Sequence, residues 1–404
     1  MRRVVITGIG VVSALGNDAA EFWRNVVAGT NGIRPMTRVD TENTRIKVAA
    51  EVCGFDAAEH FDDKKLMFLD PFSQYGLVAA REAVSDSGIE FDRELGDRSG
   101  VITGSCLGGK ETEDSLFAEL YRDGRTRFPP TVIPAAMANS VASQAAMEYG
   151  LTGATFTLST ACSSSNHAIG HAFWLVRQGT LDAAVTGGSE APLTLGNMKA
   201  WEAMRVVSPD ACRPFSKDRN GMVLGEGGAM FVIEEFEHAL ERGATIYAEI
   251  VGFGMSADAH HLTMPLAGGA AKAIKMALDD GGVDPTSVGY INAHGTGTQA
   301  NDVMESEAIN QVFGDHAQNI AVSSTKSMHG HALGAAGAIE AAATVLGMHN
   351  RLLPPNINFT ELDPECDINV IANEPLAAEP AAALSNSFAF GGLNAVLAFR
   401  RFSV

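Results

Sequence analysis

The chain has 404 residues, 46% of them hydrophobic, and a formal net charge of −19. That length carries a large core and predicts two or three structural units or one large α/β body. The acidic balance argues against nucleic acid as a partner, favours solubility and would repel an acidic partner at long range. No run of about 18 apolar residues predicts a membrane-spanning helix. Met1-Arg2-Arg3 leads straight into a strand-like run with no apolar leader. The five cysteines, Cys53, Cys106, Cys162, Cys212 and Cys366, are scattered without a CxxC pair. A reducing, cytoplasmic setting is expected.

The β-branched run 4–7 predicts a buried first strand that ends in a tight turn at Gly8-Ile9-Gly10. Helices are expected over 19–28 and 72–87, and strands over 100–105, 183–188 and 228–234. A helical run through Ile169, Ala172, Phe173 and Val176 follows Cys162. The alternation then restarts with strand 246–252, helix 268–281, strand 288–292, helix 332–346 and strands 384–387 and 395–399. Strands alternating with helices imply α/β layers. The pattern runs twice, which predicts halves 1–245 and 246–404 packed as one body.

Cys162 stands among small residues at a predicted helix start, where the dipole and free N–H groups favour a thiolate. The competing reading is a buried core cysteine. Gly8-Ile9-Gly10 resembles a fragment of a dinucleotide fingerprint but lacks the third glycine and the distal acid. His294-Gly295-Thr296-Gly297-Thr298 follows a strand, with Asn292, Asp302 and Glu305 nearby. Lys326, His329 and His331 precede an Ala/Gly-rich helix, where a lysine and a histidine can polarise an anion or a carbonyl. Metal binding by His329 and His331 with His260 and His261 is the alternative, but no acid or cysteine has suitable spacing, and no metal is expected. Paired glycines after Phe390 suggest strained backbone or a moving gate. The four blocks converge on acyl chemistry: a cysteine to hold the acyl group, two histidines to stabilise an enolate, and backbone for an oxyanion hole.

These segments resemble the β-ketoacyl-acyl carrier protein synthases. The resemblance rests on Thr160-Ala161-Cys162-Ser163-Ser164, Asn292 through Thr298, Lys326 through Gly337, Asn386 through Gly392, Cys212-Arg213-Pro214-Phe215 and Gly225-Glu226-Gly227. It covers essentially the whole chain. Two histidines mark the elongating type II synthases, since the initiating type pairs its cysteine with His and Asn. Lys199 through Arg205, Lys326 through His329 and Asn394 through Arg400 lean toward the nodulation-type and polyene branch.

The resemblance implies an α/β thiolase fold, with duplicated βαβαβ halves in a five-layered α-β-α-β-α arrangement. It implies a 3-oxoacyl carrier synthase in fatty acid or specialised polyketide elongation. The alternatives are a malonyl decarboxylase or acyltransferase, or a subunit of a ketosynthase heterodimer. Cys162 would take the acyl chain, with the N–H groups of Cys162 and Phe390 as oxyanion hole and Phe390 as gate. His294 and His331 would stabilise the enolate, and Lys326 would orient His331. Glu340, with Asn292, Ser385 and Asn386, is either a structural acid site or a monovalent cation site.

By the same resemblance Thr296 and Thr298 bind the pantetheine arm. Leu107 limits the acyl pocket, and Trp201 either shapes that pocket or packs in the core. Lys64, Lys65, Arg125, Arg127 and Arg205 are the basic candidates for docking an acyl carrier protein. No cofactor is expected for the chemistry; the substrates ride on the carrier's phosphopantetheine. A homodimer is expected, or a heterodimer with a non-catalytic homologue. Three departures stand out. Met67 and Phe68 replace usual basic residues, Leu393 replaces a usual threonine, and Ala389 replaces a usual glycine, which tolerates positive φ better than alanine and so predicts a stiffer or differently timed gate.

Overall fold

Strand Val4–Ser13 (β1) is buried along its whole length in the middle of an eleven-stranded sheet. The structure, a computed structural model, describes residues 1–402. The other sheet strands are Ser99–Gly104 (β2), Thr155–Leu158 (β3), Ala183–Glu190 (β4), Gly227–Glu235 (β5) and Ala248–Ala257 (β6). Then come Val288–Asn292 (β7), Ala321–Ser323 (β8), Asn369–Val370 (β9), Ala382–Ala389 (β10) and Leu393–Arg401 (β11). Their order across the sheet is β9-β8-β7-β10-β11-β6-β1-β5-β4-β2-β3.

That order is one pattern used twice. In the first half, β1 pairs antiparallel with β5, β5 antiparallel with β4, and β4-β2-β3 run parallel. In the second half, β6 pairs antiparallel with β11, β11 antiparallel with β10, and β10-β7-β8 run parallel. The halves join where β1 meets β6 antiparallel, Val4 opposite Ile250.

Helices Ser164–Arg177 and Ala336–Asn350 form the central layer, each touching strands of both halves. The second is buried from Ala336 to Met348, which its small residues permit. Helix Pro71–Ser87 covers the outer face of β1, β5 and β4, and helix Ala267–Gly281 that of β6 and β11. The five layers follow. Rings such as Phe231, Phe253 and Phe399 are fully buried between them, each worth about 1.5–3 kcal/mol against exposure.

β1 does not end at Gly8. It continues to Ser13 through an irregularity between Ile6 and Gly8. A Cβ at Gly8 would lie 2.0 Å from the carbonyl oxygen of Ala83, and one at Gly10 1.9 Å from that of Ala79. These glycines let helix Pro71–Ser87 lie on the strand; they make no turn and no nucleotide loop. The helix expected from 332 begins at Ala336, after a tight turn over Leu333–Ala335. β6 starts two residues later than expected and runs on to Ala257. Among the described residues no helix is long and apolar enough to cross a membrane.

Candidate active site

Cys162 follows β3 through a strained turn. Ala161 has φ +53°, a conformation that costs a non-glycine residue about 1–3 kcal/mol. Serine hydroxyls hold the turn. Ser164 Oγ donates to the Ala161 carbonyl at 2.6 Å and accepts from Thr160 N at 2.9 Å. Ser163 Oγ lies 2.9 Å from the carbonyls of both Thr160 and Leu393. The helix starts at Ser164, so Cys162 precedes its first turn and is 7% exposed. Burial pushes the thiol up to about 11, against the pull of Lys326 and the N–H groups of Phe390 and Cys162. The thiolate expected from the helix start is therefore not the resting state, because desolvation outweighs the dipole.

His294 leaves the C-terminal end of β7. Glu305, on helix Gln299–Phe313, accepts the N–H groups of His294 and Gly295, each at 2.8 Å. Asp302 on the same helix accepts from Gly297 N at 3.2 Å and Phe215 N at 2.8 Å. Lys326 Nζ donates to the His294 carbonyl at 2.7 Å and lies 3.3 Å from His294 Nδ1. It also pairs closely with Glu340. An ammonium has donors only, so Nδ1 accepts and the ring proton falls on Nε2. Lys326 thus orients His294, not His331 as expected, because its side chain runs beneath the end of β7.

Backbone places His331. Its N–H donates to the Val223 carbonyl at 2.7 Å, and its carbonyl accepts from Gly225 N at 3.0 Å. Its Nδ1 is buried with no hydrogen-bond partner among the described residues. The two imidazoles stand edge to face, centroids 5.4 Å apart. Burial first, then the Lys326 charge, holds both well below the ordinary histidine range. Neutral imidazoles can donate a hydrogen bond to a developing oxyanion without bringing a charge into the cavity.

Cys162, His294, His331 and Phe390 all line one cavity of about 400 Å³, as do Thr296, Thr298, Trp201 and Arg205. Trp201 and Phe390 stack at 6.0 Å and 27°. Phe390 sits in the tight connection between β10 and β11, where Gly391 and Gly392 have φ +83° and +67°. Ala389 closes β10 opposite Leu393 and carries no positive φ, so no backbone strain at this alanine backs the stiffer gate expected from it. The connection is tied to segment 258–266: Gly391 N donates to the Leu262 carbonyl at 2.7 Å, and Asp258 N to the Gly392 carbonyl at 2.9 Å. His261 and Leu262 line the cavity too.

Residues 1–239 match the family described as Beta-ketoacyl synthase, N-terminal domain, and residues 247–360 match Beta-ketoacyl synthase, C-terminal domain. The chain belongs to the β-ketoacyl synthase family. It is 45% identical over 401 residues to Nodulation protein E of Rhizobium sp. (strain N33), covering 99% of each chain. It is 42% identical over 408 residues to 3-oxoacyl-[acyl-carrier-protein] synthase 2 of Staphylococcus aureus (strain COL), again covering 99% of each. Its fold matches the ishigamide ketosynthase/chain length factor with a TM-score of 0.95, at 38% identity over 100% of both chains. As a β-ketoacyl synthase it is an acyltransferase with the thiolase-type fold.

The synthase does not bring every expected residue to the cavity. Leu107 is half-buried in the apolar cluster that also holds Cys162 and Trp201, outside the cavity lining. Lys64 and Lys65 lie on the short helix Asp63–Leu66, with Lys65 Nζ 2.5 Å from Gln144 Oε1. Arg125 is paired with Glu119 and donates to the Arg127 carbonyl at 2.9 Å. Of the five basic candidates, Arg205 alone lines the cavity. Among the described residues, Asn292 Oδ1, Glu340 Oε2, Ser385 Oγ and Asn386 Oδ1 are buried without hydrogen-bond partners. His329 Nε2 bonds Thr325 Oγ1 at 2.9 Å, while His260 and His261 are exposed on another loop. Among the described residues, no group of three or more His, Cys, Asp or Glu is placed to hold a metal.

Sequence reading missed the left-handed Ala161, the serine staples, the anchoring role of Glu305 and the segment that meets the gate. The serine run after Cys162 and the acid eleven residues after His294 were the available signals.

Proposed function

We propose that this synthase is a 3-oxoacyl carrier synthase. It condenses an acyl chain held on Cys162 with a malonyl unit on an acyl carrier protein. The supporting observation is the single cavity that Cys162, both imidazoles and Phe390 share. Cys162 Sγ attacks the thioester carbonyl of an acyl-pantetheine, and the N–H groups of Cys162 and Phe390 stabilise the oxyanion. The C–S bond to pantetheine breaks, and the pantetheine thiol leaves with the proton that Cys162 gave up. His294 and His331, neutral and adjacent, are the groups able to pass that proton.

Malonyl-pantetheine then enters along Thr296 and Thr298. Its carboxylate leaves as carbon dioxide, and the electron pair forms an enolate whose oxygen faces the two imidazole N–H groups. The α-carbon attacks the acyl-Cys162 carbonyl, the C–S bond breaks, and Cys162 regains a proton from solvent. The product is a 3-oxoacyl carrier, two carbons longer. Arg205 is the cation best placed to meet an acidic carrier at the mouth, with Lys64, Lys65, Arg125 and Arg127 as outlying candidates. Trp201 and Leu107 bound the acyl chain.

Asn292 Oδ1, Glu340 Oε2 and Ser385 Oγ fit a monovalent cation, since among the described residues these buried oxygens have no donors and Asn292 and Ser385 sit in register. Bound there, the ion would offset the Glu340 charge. Asn386 gives its Nδ2 to Glu305 at 3.1 Å. The natural division of the chain is 1–245 and 246–404, nucleophile in the first half and histidines in the second. Similarity to a ketosynthase/chain length factor supports either a homodimer or a pair with a non-catalytic homologue. Five free cysteines suit a cytoplasmic setting.

Incubating acyl-carrier with malonyl-carrier tests this reading. The expected result is a 3-oxoacyl carrier that disappears in Cys162→Ala. Carbon dioxide release without that product would reduce the protein to a decarboxylase.

A further inference from the structure

Glu190 ends β4 with its carboxylate fully buried, and among the described residues it forms no ion pair. Its partners are four donors on two loops. Cys106 N donates at 2.6 Å, Leu107 N at 3.1 Å and Ser105 Oγ at 3.1 Å. Gly334 N, three residues after His331, donates at 3.2 Å. A buried acid without a cation is costly unless its donors require it. Here the donors are the ends of segments that wall Cys162.

The first loop carries Leu107. The second carries Leu333, 1% exposed and held at φ +45°, a strained conformation for a branched side chain. Glu190 also leads directly into Ala191–Thr194 and helix Leu195–Met204, which bears Met198 and Trp201. Leu107, Leu193, Met198, Trp201 and Leu333 form one apolar cluster with Cys162. Three separate segments therefore reach that cluster, and one carboxylate links their roots.

We propose that Glu190 is a positioning residue for acyl-chain selection: it locks the Leu107, Leu333 and Trp201 segments together and so sets the depth of the apolar space behind Cys162. This rests on the reading that Cys162 carries the acyl chain. Glu190 touches neither substrate nor the reacting atoms. It acts through the loops it holds, whose N–H groups of Cys106, Leu107 and Gly334 all donate to its carboxylate.

The test is Glu190→Gln with acyl-carrier primers of graded length. Glutamine keeps the shape, but each oxygen of Glu190 accepts two donors, so its amide NH₂ faces at least one backbone N–H and that contact is lost. The ratio of kcat/KM between long and short primers should change by about tenfold, mainly through KM, and Glu190→Asp should restore part of it. A uniform loss at every length would overturn the proposal and leave a merely structural acid. Hydrogen exchange on the unmodified protein gives a second measurement, independent of whether the variant folds. The amides of Cys106, Leu107 and Gly334 should exchange as one slow group, slower still when Cys162 carries a long primer; fast or unlinked exchange would also overturn it. If no primer adds mass to Cys162 in the unmodified protein, the reading of the site fails first and takes this proposal with it.

Discussion

Lys326 Nζ lies 2.7 Å from the carbonyl of His294 and 3.3 Å from its Nδ1, so one lysine fixes both the main chain and the tautomer of that residue. In Lys326→Ala, Nδ1 is free to take the ring proton and the Nε2 donor is lost part of the time. Malonyl decarboxylation should fall about 100-fold or more. Acyl transfer to Cys162 should fall less, because its oxyanion uses backbone N–H groups. The variant also leaves Glu340 buried without its cation, at a cost of about 3–5 kcal/mol. Adding Glu340→Gln should raise the melting temperature again without restoring decarboxylation. Equal losses in the two half-reactions, measured separately, would count against the assignment.

The Cys162 thiol, pushed up to about 11 by burial, stays protonated through the neutral range. Thiolate then grows about tenfold per pH unit below that value. Alkylation of the resting enzyme by iodoacetamide should climb steadily from pH 7 to pH 9, each a value chosen about two or more units below the thiol. A plateau near pH 8 would mean the helix start and Lys326 dominate after all.

Glu305 accepts two backbone N–H groups and is pushed up to about 7 by burial. The folded state therefore holds this proton more tightly than the unfolded chain. Stability is greatest while the acid is protonated in both states and declines as pH rises from the ordinary carboxylate range to about 7. Glu190 adds in the same direction. Melting temperature should drop across that interval, and Glu305→Gln should show a shallower drop. An unchanged slope in the variant would assign the effect elsewhere.

What the sequence made legible follows from locality. β7 was readable because Val288–Asn292 is an apolar run cut off by a loop, and both histidine loops announce themselves by glycine spacing. Gly8 and Gly10 misled because a glycine that admits a crossing helix reads like one that turns the chain; only Ala79 and Ala83, about seventy residues away, decide between them. The resemblance paired Lys326 with His331, whereas β7 brings His294 within hydrogen-bond reach of Lys326 Nζ. β8 has three residues, too few for a period. For Cys162 the sequence left a thiolate and a buried thiol open, because helix position is local and the burial that pushes the thiol up is not.

Trp201 stacks on Phe390 at 6.0 Å, and such pairs are worth about 0.5–1.5 kcal/mol beyond their area. Trp201→Ala frees the gate ring. Acylation of Cys162 should show a KM several-fold higher and a weaker distinction between primers, whereas Trp201→Phe should stay close to the parent. Trp201→Phe as damaged as Trp201→Ala would point to loss of packing volume in place of stacking.

The gate glycines should matter more than the unusual alanine beside them. Gly392 has φ +67°, and a Cβ there would lie 2.5 Å from the Cβ of Asp258. Gly392→Ala must therefore strain the backbone and displace Asp258, which accepts from Asn394 Nδ2 at 2.7 Å and Leu266 N at 3.0 Å. Turnover should drop by about tenfold or more, as a cost above about 1.4 kcal/mol requires. Ala389 already occupies a strand position at the end of β10. Ala389→Gly relieves no strain and costs about 0.5–1 kcal/mol of folding stability through chain entropy. Steady-state kinetics and melting curves of the two variants separate the cases: Gly392→Ala should lose turnover, and Ala389→Gly should lose mainly stability. Faster turnover in Ala389→Gly would mean that the gate passes through a conformation that alanine resists.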